Sequence, residues 1–263
     1  MPKILITGCS SGFGLAISKA FLSEGWDVVA TMRTPRNDLL SANGRLEILA
    51  LDVTNAESIE TAVEAAGSID ALVNNAGVGM LNVLEGAEMS KVRELFETNV
   101  FGAMAMTKAV LPRMRDRRSG VIVNVSSSVT IKPLPALSVY SASKAALNAF
   151  TESLAHEAAL FGVRTKLVLP GSAPTTGFGK NVVARMGMNI PEPYTAFVQD
   201  YLTTLRSGTE FTTPEDVAHA VWHAVTETDS PMKIPAGADA RTWFHQAGHL
   251  VDRCICLPKT PET

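Results

Sequence analysis

Tyr140-Ser141-Ala142-Ser143-Lys144 sets a phenol and an ammonium four residues apart, which on a helix is one face and one turn. A free tyrosine titrates at about 10 and is a poor acid–base catalyst at neutral pH. An ammonium beside it stabilises the phenolate and brings that pKa closer to the working range. Such a pair also arises by chance on ordinary helices. Upstream, Val121-Ile122-Val123-Asn124-Val125 runs into Ser126-Ser127-Ser128. A hydroxyl at a strand end can donate to a substrate carbonyl, or hold an alcohol in line for deprotonation. The plainer reading of the three serines is a turn that caps the strand.

A second group of residues reads as an anion cradle. Thr7-Gly8-Cys9-Ser10-Ser11-Gly12-Phe13-Gly14 follows the apolar run Lys3–Thr7 and opens the periodic segment Leu15–Leu22. A strand, a glycine turn and a helix N-terminus aim unpaired N–H groups and the positive helix end at one point. A Cβ would hold the backbone off a pyrophosphate or block a positive φ. Asn74-Asn75-Ala76-Gly77 closes another apolar run with small and polar residues. Asn99 interrupts the apolar helical stretch Leu95–Phe101. An asparagine there is unfavourable unless its amide bonds backbone or water.

These residues need elements to hold them. Strands are expected at Ile4–Thr7, Asp27–Thr31, Leu46–Leu51, Ala71–Asn74, Val121–Val125 and Thr165–Leu169, with a weaker one near Lys233–Pro235. Helices are expected at Gly14–Glu24, Ala56–Ala66, Met89–Met114, Val139–Phe161 and Pro214–Thr226. Strands apolar throughout, alternating with helices, predict an α/β doubly wound domain: a Rossmann-type, about seven-stranded parallel sheet covered on both faces. Residues 1–263 are expected to form one such domain. The stretch Pro174–Thr213 breaks the rhythm and reads as a substrate-binding loop or lid, with Phe178, Met186, Met188, Phe197 and Tyr201 as its apolar side chains.

The bulk numbers set limits. With 263 residues, 46% of them hydrophobic, one large domain is expected. A net charge of -3 gives no reason to expect nucleic acid or an anionic membrane. The densest basic stretch, Arg113–Arg118, lies at a helix end and reads as solvated. Three cysteines, Cys9, Cys254 and Cys256, are no disulfide framework and suit a reducing compartment. No apolar run is long enough for a membrane span. A soluble, cytoplasmic chain is expected.

Taken together, these motifs resemble the short-chain dehydrogenase/reductase family, in its single-domain branch. The match comprises T-G-x-x-x-G-x-G at Thr7–Gly14, Asp52-Val53, N-N-A-G at Asn74–Gly77, Asn99, the serine, Y-x-x-x-K, and Pro170-Gly171 with Thr175. The resemblance implies a catalytic tetrad of Asn99, Ser127, Tyr140 and Lys144, the serine chosen by the family's spacing to the tyrosine. Tyr140 would be the general acid in carbonyl reduction and the base in alcohol oxidation. Ser127 would polarise the substrate oxygen, Lys144 would lower the tyrosine pKa and hold the nicotinamide ribose, and Asn99 would hold a relay water. Gly8, Ser10, Ser11, Gly12, Phe13 and Gly14 would bracket the pyrophosphate, Asp52 and Val53 the adenine, and Asn75, Ala76 and Gly77 the ribose. Pro170, Gly171 and Thr175 would meet the nicotinamide. No metal is implied.

The cofactor expected is NADP(H). An NAD site places a carboxylate about 20 residues beyond the glycines. Here the second strand ends in Met32-Arg33, and a guanidinium suits the 2′-phosphate of NADP. The resemblance leans toward enzymes of hydroxysteroids, retinoids and related bulky carbonyls or alcohols, and implies a homodimer or homotetramer through the two long helices. A non-catalytic dinucleotide sensor on the same fold would carry a damaged tetrad, whereas all four positions are filled. A sugar-nucleotide epimerase would show different glycine spacing. The pairs His219/His223 and His245/His249 lack a third metal ligand at good spacing. Oxidation of Cys9, inside the glycine turn, would be expected to disturb cofactor binding. The tail beyond Arg241 carries no readable pattern.

Overall fold

Strand β1 (Lys3–Thr7) is apolar from Ile4 to Ile6 and fully buried there, so both of its faces need cover. The computed structural model, which describes residues 1–40, 44–176, 189–206 and 208–251, supplies that cover with helices on each side. The remaining strands are β2 (Asp27–Met32), β3 (Leu46–Ala50), β4 (Ala71–Asn74), β5 (Gly120–Val125), β6 (Val163–Pro170) and β7 (Lys233–Ala236). They form one seven-stranded sheet in the order β3-β2-β1-β4-β5-β6-β7, with every neighbouring pair parallel. This is the expected doubly wound architecture. Its order reverses between β1 and β4, where such sheets open a crevice at their carboxyl ends.

Strand alternation sorts the core into two layers. Ile4, Ile6, Val28, Ala30 and Val73 face α1 (Gly12–Ser23) and a later helix, Pro214–Thr226. Phe21, Trp26 and Trp222 meet there with ring centroids 5.0–6.2 Å apart. On the other face, Leu5, Val29, Leu72 and Ile122 pack against Ile59 and Val63 of α2 (Ala56–Ala66) and against Met106 and Leu154 from the two long helices.

The helix expected at Met89–Met114 is resolved into three parts. Helix α3 (Met89–Phe96) passes through a π turn at Glu97–Phe101 into α4 (Gly102–Arg117). Helix α5 (Ser138–Ala159) carries the Y-x-x-x-K pair. Within the stretch Pro174–Thr213 the described residues include a helix, α6 (Thr195–Arg206), and the tail beyond Arg241 begins inside α8 (Ala238–Val251), which follows α7 (Pro214–Thr226). The Arg113–Arg118 stretch is also more than a solvated helix end. Arg113 donates to the carbonyls of Val63 and Gly67, Arg117 to Ile69 and Arg118 to Leu160, so the end of α4 is clasped to its neighbours. Among the described residues no helix is long and apolar enough to cross a membrane.

Candidate active site

The three serines after β5 have different surroundings. Ser126 donates its amide to Val168 O at 2.8 Å and its hydroxyl to Asn148 Oδ1 at 2.6 Å. Ser128 is buried with no partner for its hydroxyl. Ser127 is extended, its carbonyl accepts from the Thr130 hydroxyl at 2.8 Å, and its hydroxyl meets the Tyr140 phenol.

Tyr140, Lys144 and Asn148 follow one another at single-turn spacing on α5. Lys144 Nζ lies 5.9 Å from the Tyr140 ring centroid and donates to Val125 O at 3.0 Å. Burial pushes the phenol up to about 12, against a smaller lowering from the Ser127 hydrogen bond. Burial pulls the Lys144 amine down to about 8. In this arrangement burial sets the direction of the phenol's shift.

Asn99 sits in the π turn, and its amide is fully engaged. Its Oδ1 accepts from Val78 N and its Nδ2 donates to Val78 O, both at 2.8 Å, with Ser143 Oγ at 3.2 Å. Ser143 in turn donates to Tyr140 O at 2.7 Å. A Cβ on Gly77 would stand 3.2 Å from Asn99 Oδ1 and 3.6 Å from Lys144 Nζ, so these three converge. Ser143, Asn148 and Thr130 escaped the sequence reading. Asn148 was within reach of it, because it extends the Tyr140–Lys144 spacing by one more turn.

The glycine turn divides its work. Gly8 (φ +76°) and Gly14 are held against the chain after β4: a Cβ on Gly8 would come 2.9 Å from Ala76 Cα, and one on Gly14 would overlap the Gly8 carbonyl. Asn75 Nδ2 braces the turn by donating to Thr7 O at 2.9 Å, and Thr7 Oγ1 accepts from the amides of Asn75 and Ala76. Gly12 (φ +56°) is different, since a Cβ there would meet only Thr176 at 3.8 Å. No side chain caps α1 at Ser11 and no acidic residue lies in its first turn. That open, positive helix end fits a diphosphate. Ser10 and Ser11 are exposed beside it and Phe13 is half-buried against the core.

The other expected cofactor contacts are distributed around this end of the sheet. Thr7 pairs in register with Thr31, which brings exposed Arg33 beside Cys9, while Asp27 lies opposite Lys3 at the far end of its strand. Asp52 accepts from the amide and hydroxyl of Thr54, and Val53 is buried against Gly102. Pro170 ends β6, Gly171 follows it and Thr175 is exposed. Cys9 is fully buried, donates to Ile6 O at 3.2 Å and is pushed up to about 11 by burial, which suits a small side chain packed inside the turn. Phe178, Met186, Met188, Cys254 and Cys256 lie outside the described residues. Phe197 is exposed on α6 and Tyr201 is half-buried. His219 and His223 face solvent on α7.

Comparison with known proteins agrees with this geometry. A family model described as short chain dehydrogenase matches residues 2–186. Retinol dehydrogenase 8 of Homo sapiens is 36% identical over 248 residues, covering 88% of this chain and 79% of the relative. The crystal structure of a short-chain dehydrogenase from Streptomyces avermitilis superposes with a TM-score of 0.81 at 34% identity, over 97% of this chain and 94% of its own. One from Burkholderia cenocepacia, in complex with NADP, gives 0.74 at 27% identity over 98% of both chains.

Proposed function

The chain belongs to the short-chain dehydrogenase family, and we propose that it is an NADP(H)-dependent oxidoreductase interconverting an apolar ketone or aldehyde with its alcohol. One observation carries the reading: a buried phenol, Tyr140, bonded by the Ser127 hydroxyl and one turn from a desolvated Lys144.

NADPH, when bound, supplies the hydride. The open end of α1 at Ser10–Gly12 would hold its diphosphate, and Arg33 its 2′-phosphate. Asp52 and Val53 would lie at the adenine, Asn75, Ala76 and Gly77 at the ribose, and Pro170, Gly171 and Thr175 at the nicotinamide. Tyr140 carries a proton on its phenol oxygen and delivers it to the carbonyl oxygen as negative charge develops there. Ser127 donates a hydrogen bond to the same oxygen. Lys144, its amine pulled down to about 8 by burial, would hold a hydroxyl of the nicotinamide ribose. Because Val78 and Ser143 occupy the Asn99 amide, the relay water falls to the main-chain carbonyls of the π turn.

Apolar flanks support the substrate class. Val129, Leu134 and Leu137 pack beside Tyr140 in a cluster with Met80 and Leu95. A homodimer or homotetramer is supported by an apolar groove between α4 and α5, lined by Leu111, Pro112, Phe150 and Phe161. The buried, protonated Cys9 thiol is at home in a reducing cytoplasm.

The test is NADPH consumption across aromatic ketones, steroids, retinal and small aldehydes, with Tyr140→Phe as control. The phenol-less variant should keep NADPH binding and lose roughly 100-fold or more in kcat. Turnover at the parent rate would overturn the mechanism.

A further inference from the structure

Beyond the tetrad and the cradle, one buried carboxylate sits at the carboxyl ends of β6 and β7, beside the residue that leads into α7. Asp239, in the first turn of α8, is 4% exposed and Thr212 is 1% exposed. Asp239 Oδ2 accepts from Ser172 N at 2.6 Å, and Oδ1 lies 2.9 Å from both Thr212 Oγ1 and Ala240 N. Thr212 N donates to Ser172 O at 2.7 Å, while Gly171 N donates to Thr212 Oγ1 at 2.8 Å. The Thr212 hydroxyl also reaches Ala236 O at 2.7 Å. No side chain fits between, because a Cβ on Gly171 would overlap both Asp239 oxygens. The stems at Ser172 and Thr212 are thus joined to each other and to one carboxylate. Buried carboxylates are tolerated where donors surround them, so the arrangement is specific to this donor set.

The stem lies between the two halves of the candidate site. β6 is hydrogen-bonded to β5, and Ser126 N donates to Val168 O just before Ser127. In the other direction the chain runs from Ser172 to Thr176, whose side chain faces Gly12. It crosses from the end of β6 to the glycine turn on β1, three strand positions or roughly 14 Å.

We propose that Asp239 is a positioning residue: directly at Ser172, and through Thr212 at Gly171, it fixes the start of the 173–176 crossing between the serine turn and the cofactor cradle. This rests on the oxidoreductase reading for its kinetic consequence, although the latch has its own structural readout.

The experiment compares the parent with Asp239→Asn, Thr212→Val and the conservative Thr212→Ser in the full chain. Three quantities are measured: amide hydrogen exchange over residues 170–176, NADPH affinity by fluorescence titration, and steady-state kinetics. Asp239→Asn turns one acceptor into a donor facing an N–H, and Thr212→Val strands the Gly171 amide. Both should speed exchange in 170–176 about tenfold, weaken NADPH binding about tenfold and raise KM for the carbonyl, while Thr212→Ser stays within about twofold of the parent. The double variant should be no worse than the stronger single one, because the two groups act as a unit. Unchanged exchange in 170–176, or a loss of Vmax with parental KM and NADPH affinity, would overturn the latch. A parent that binds no NADPH would instead defeat the oxidoreductase reading, leaving the exchange comparison to judge Asp239. Should Asp239→Asn fail to fold, Thr212→Val and its serine rescue carry the same test.

Discussion

Gly14 lies directly against Gly8: a methyl group on Gly14 would overlap the Gly8 carbonyl oxygen and stand 2.6 Å from Asn75 Nδ2. Gly12, two residues before it, has room for a methyl group in ordinary contact with Thr176 and a positive φ of +56°. The glycines of one motif are thus kept by different forces, and substitution should separate them. Gly12→Ala costs about 1–2 kcal/mol of left-handed backbone strain while leaving the turn in place. Gly14→Ala must displace either the turn or the Asn75 brace, and should cost about 3 kcal/mol or more. Thermal unfolding checks the ranking, and a Gly12 variant less stable than the Gly14 variant would reject it.

Arg33 is exposed and directly follows β2, whose Thr31 pairs with Thr7 at the start of the glycine turn. An exposed guanidinium that binds a 2′-phosphate should matter only for the phosphorylated cofactor. Arg33→Ala should raise KM for NADPH about tenfold, the low end for a charge-assisted pair, and leave KM for NADH within about twofold. Equal losses for both cofactors would remove Arg33 from the site.

Asn148 ties the serine turn together from α5, accepting from Ser126 Oγ at 2.6 Å and donating to Thr130 Oγ1 at 3.0 Å. Thr130 then bonds Ser127 O. Asn148→Ala should loosen Ser127 against Tyr140 and lower kcat about tenfold, with NADPH affinity unchanged. Steady-state kinetics beside a binding titration would show the split, and a variant with parental kcat would mean that the Ser127 turn stands without Asn148.

The sheet was legible because its central strands carry short, nearly continuous apolar runs separated by helical patterns, as a doubly covered parallel sheet requires. The Tyr140–Lys144 spacing and the glycine turn were legible for the same local reason: their geometry is set within a few residues. Tertiary terms were not. Asn99 breaks the apolar pattern of Met89–Met114, but that break alone does not tell a π turn from a continuous helix. Helix α8 was hidden by mixed residues such as Trp243, Phe244 and His245, and the role of Asp239 depends on partners 27 and 67 positions away. The phenol pKa was read from its charged neighbour alone, whereas burial by residues distant in sequence sets its direction.

Lys144 and Tyr140 give the fold a pH dependence whose sign can be worked out. The Lys144 pKa falls from 10.5 to about 8 on folding. Between those values the unfolded chain binds the proton and the folded chain does not, so stability rises with pH across that window. Tyr140 moves the other way, from 10.0 to about 12, so it makes the folded chain the better proton binder above pH 10 and stability falls there. Cys9 moves from 9.0 to about 11 and likewise lowers stability above pH 9. The window from pH 7.5 to 9 therefore belongs mainly to Lys144. Urea unfolding of the parent should gain on the order of 1 kcal/mol from pH 7.5 to 9. Lys144→Met has no proton to lose there and should show a flat to slightly falling profile over the same range. An identical slope in both proteins would mean that Lys144 is not the desolvated amine that the α5 geometry makes it.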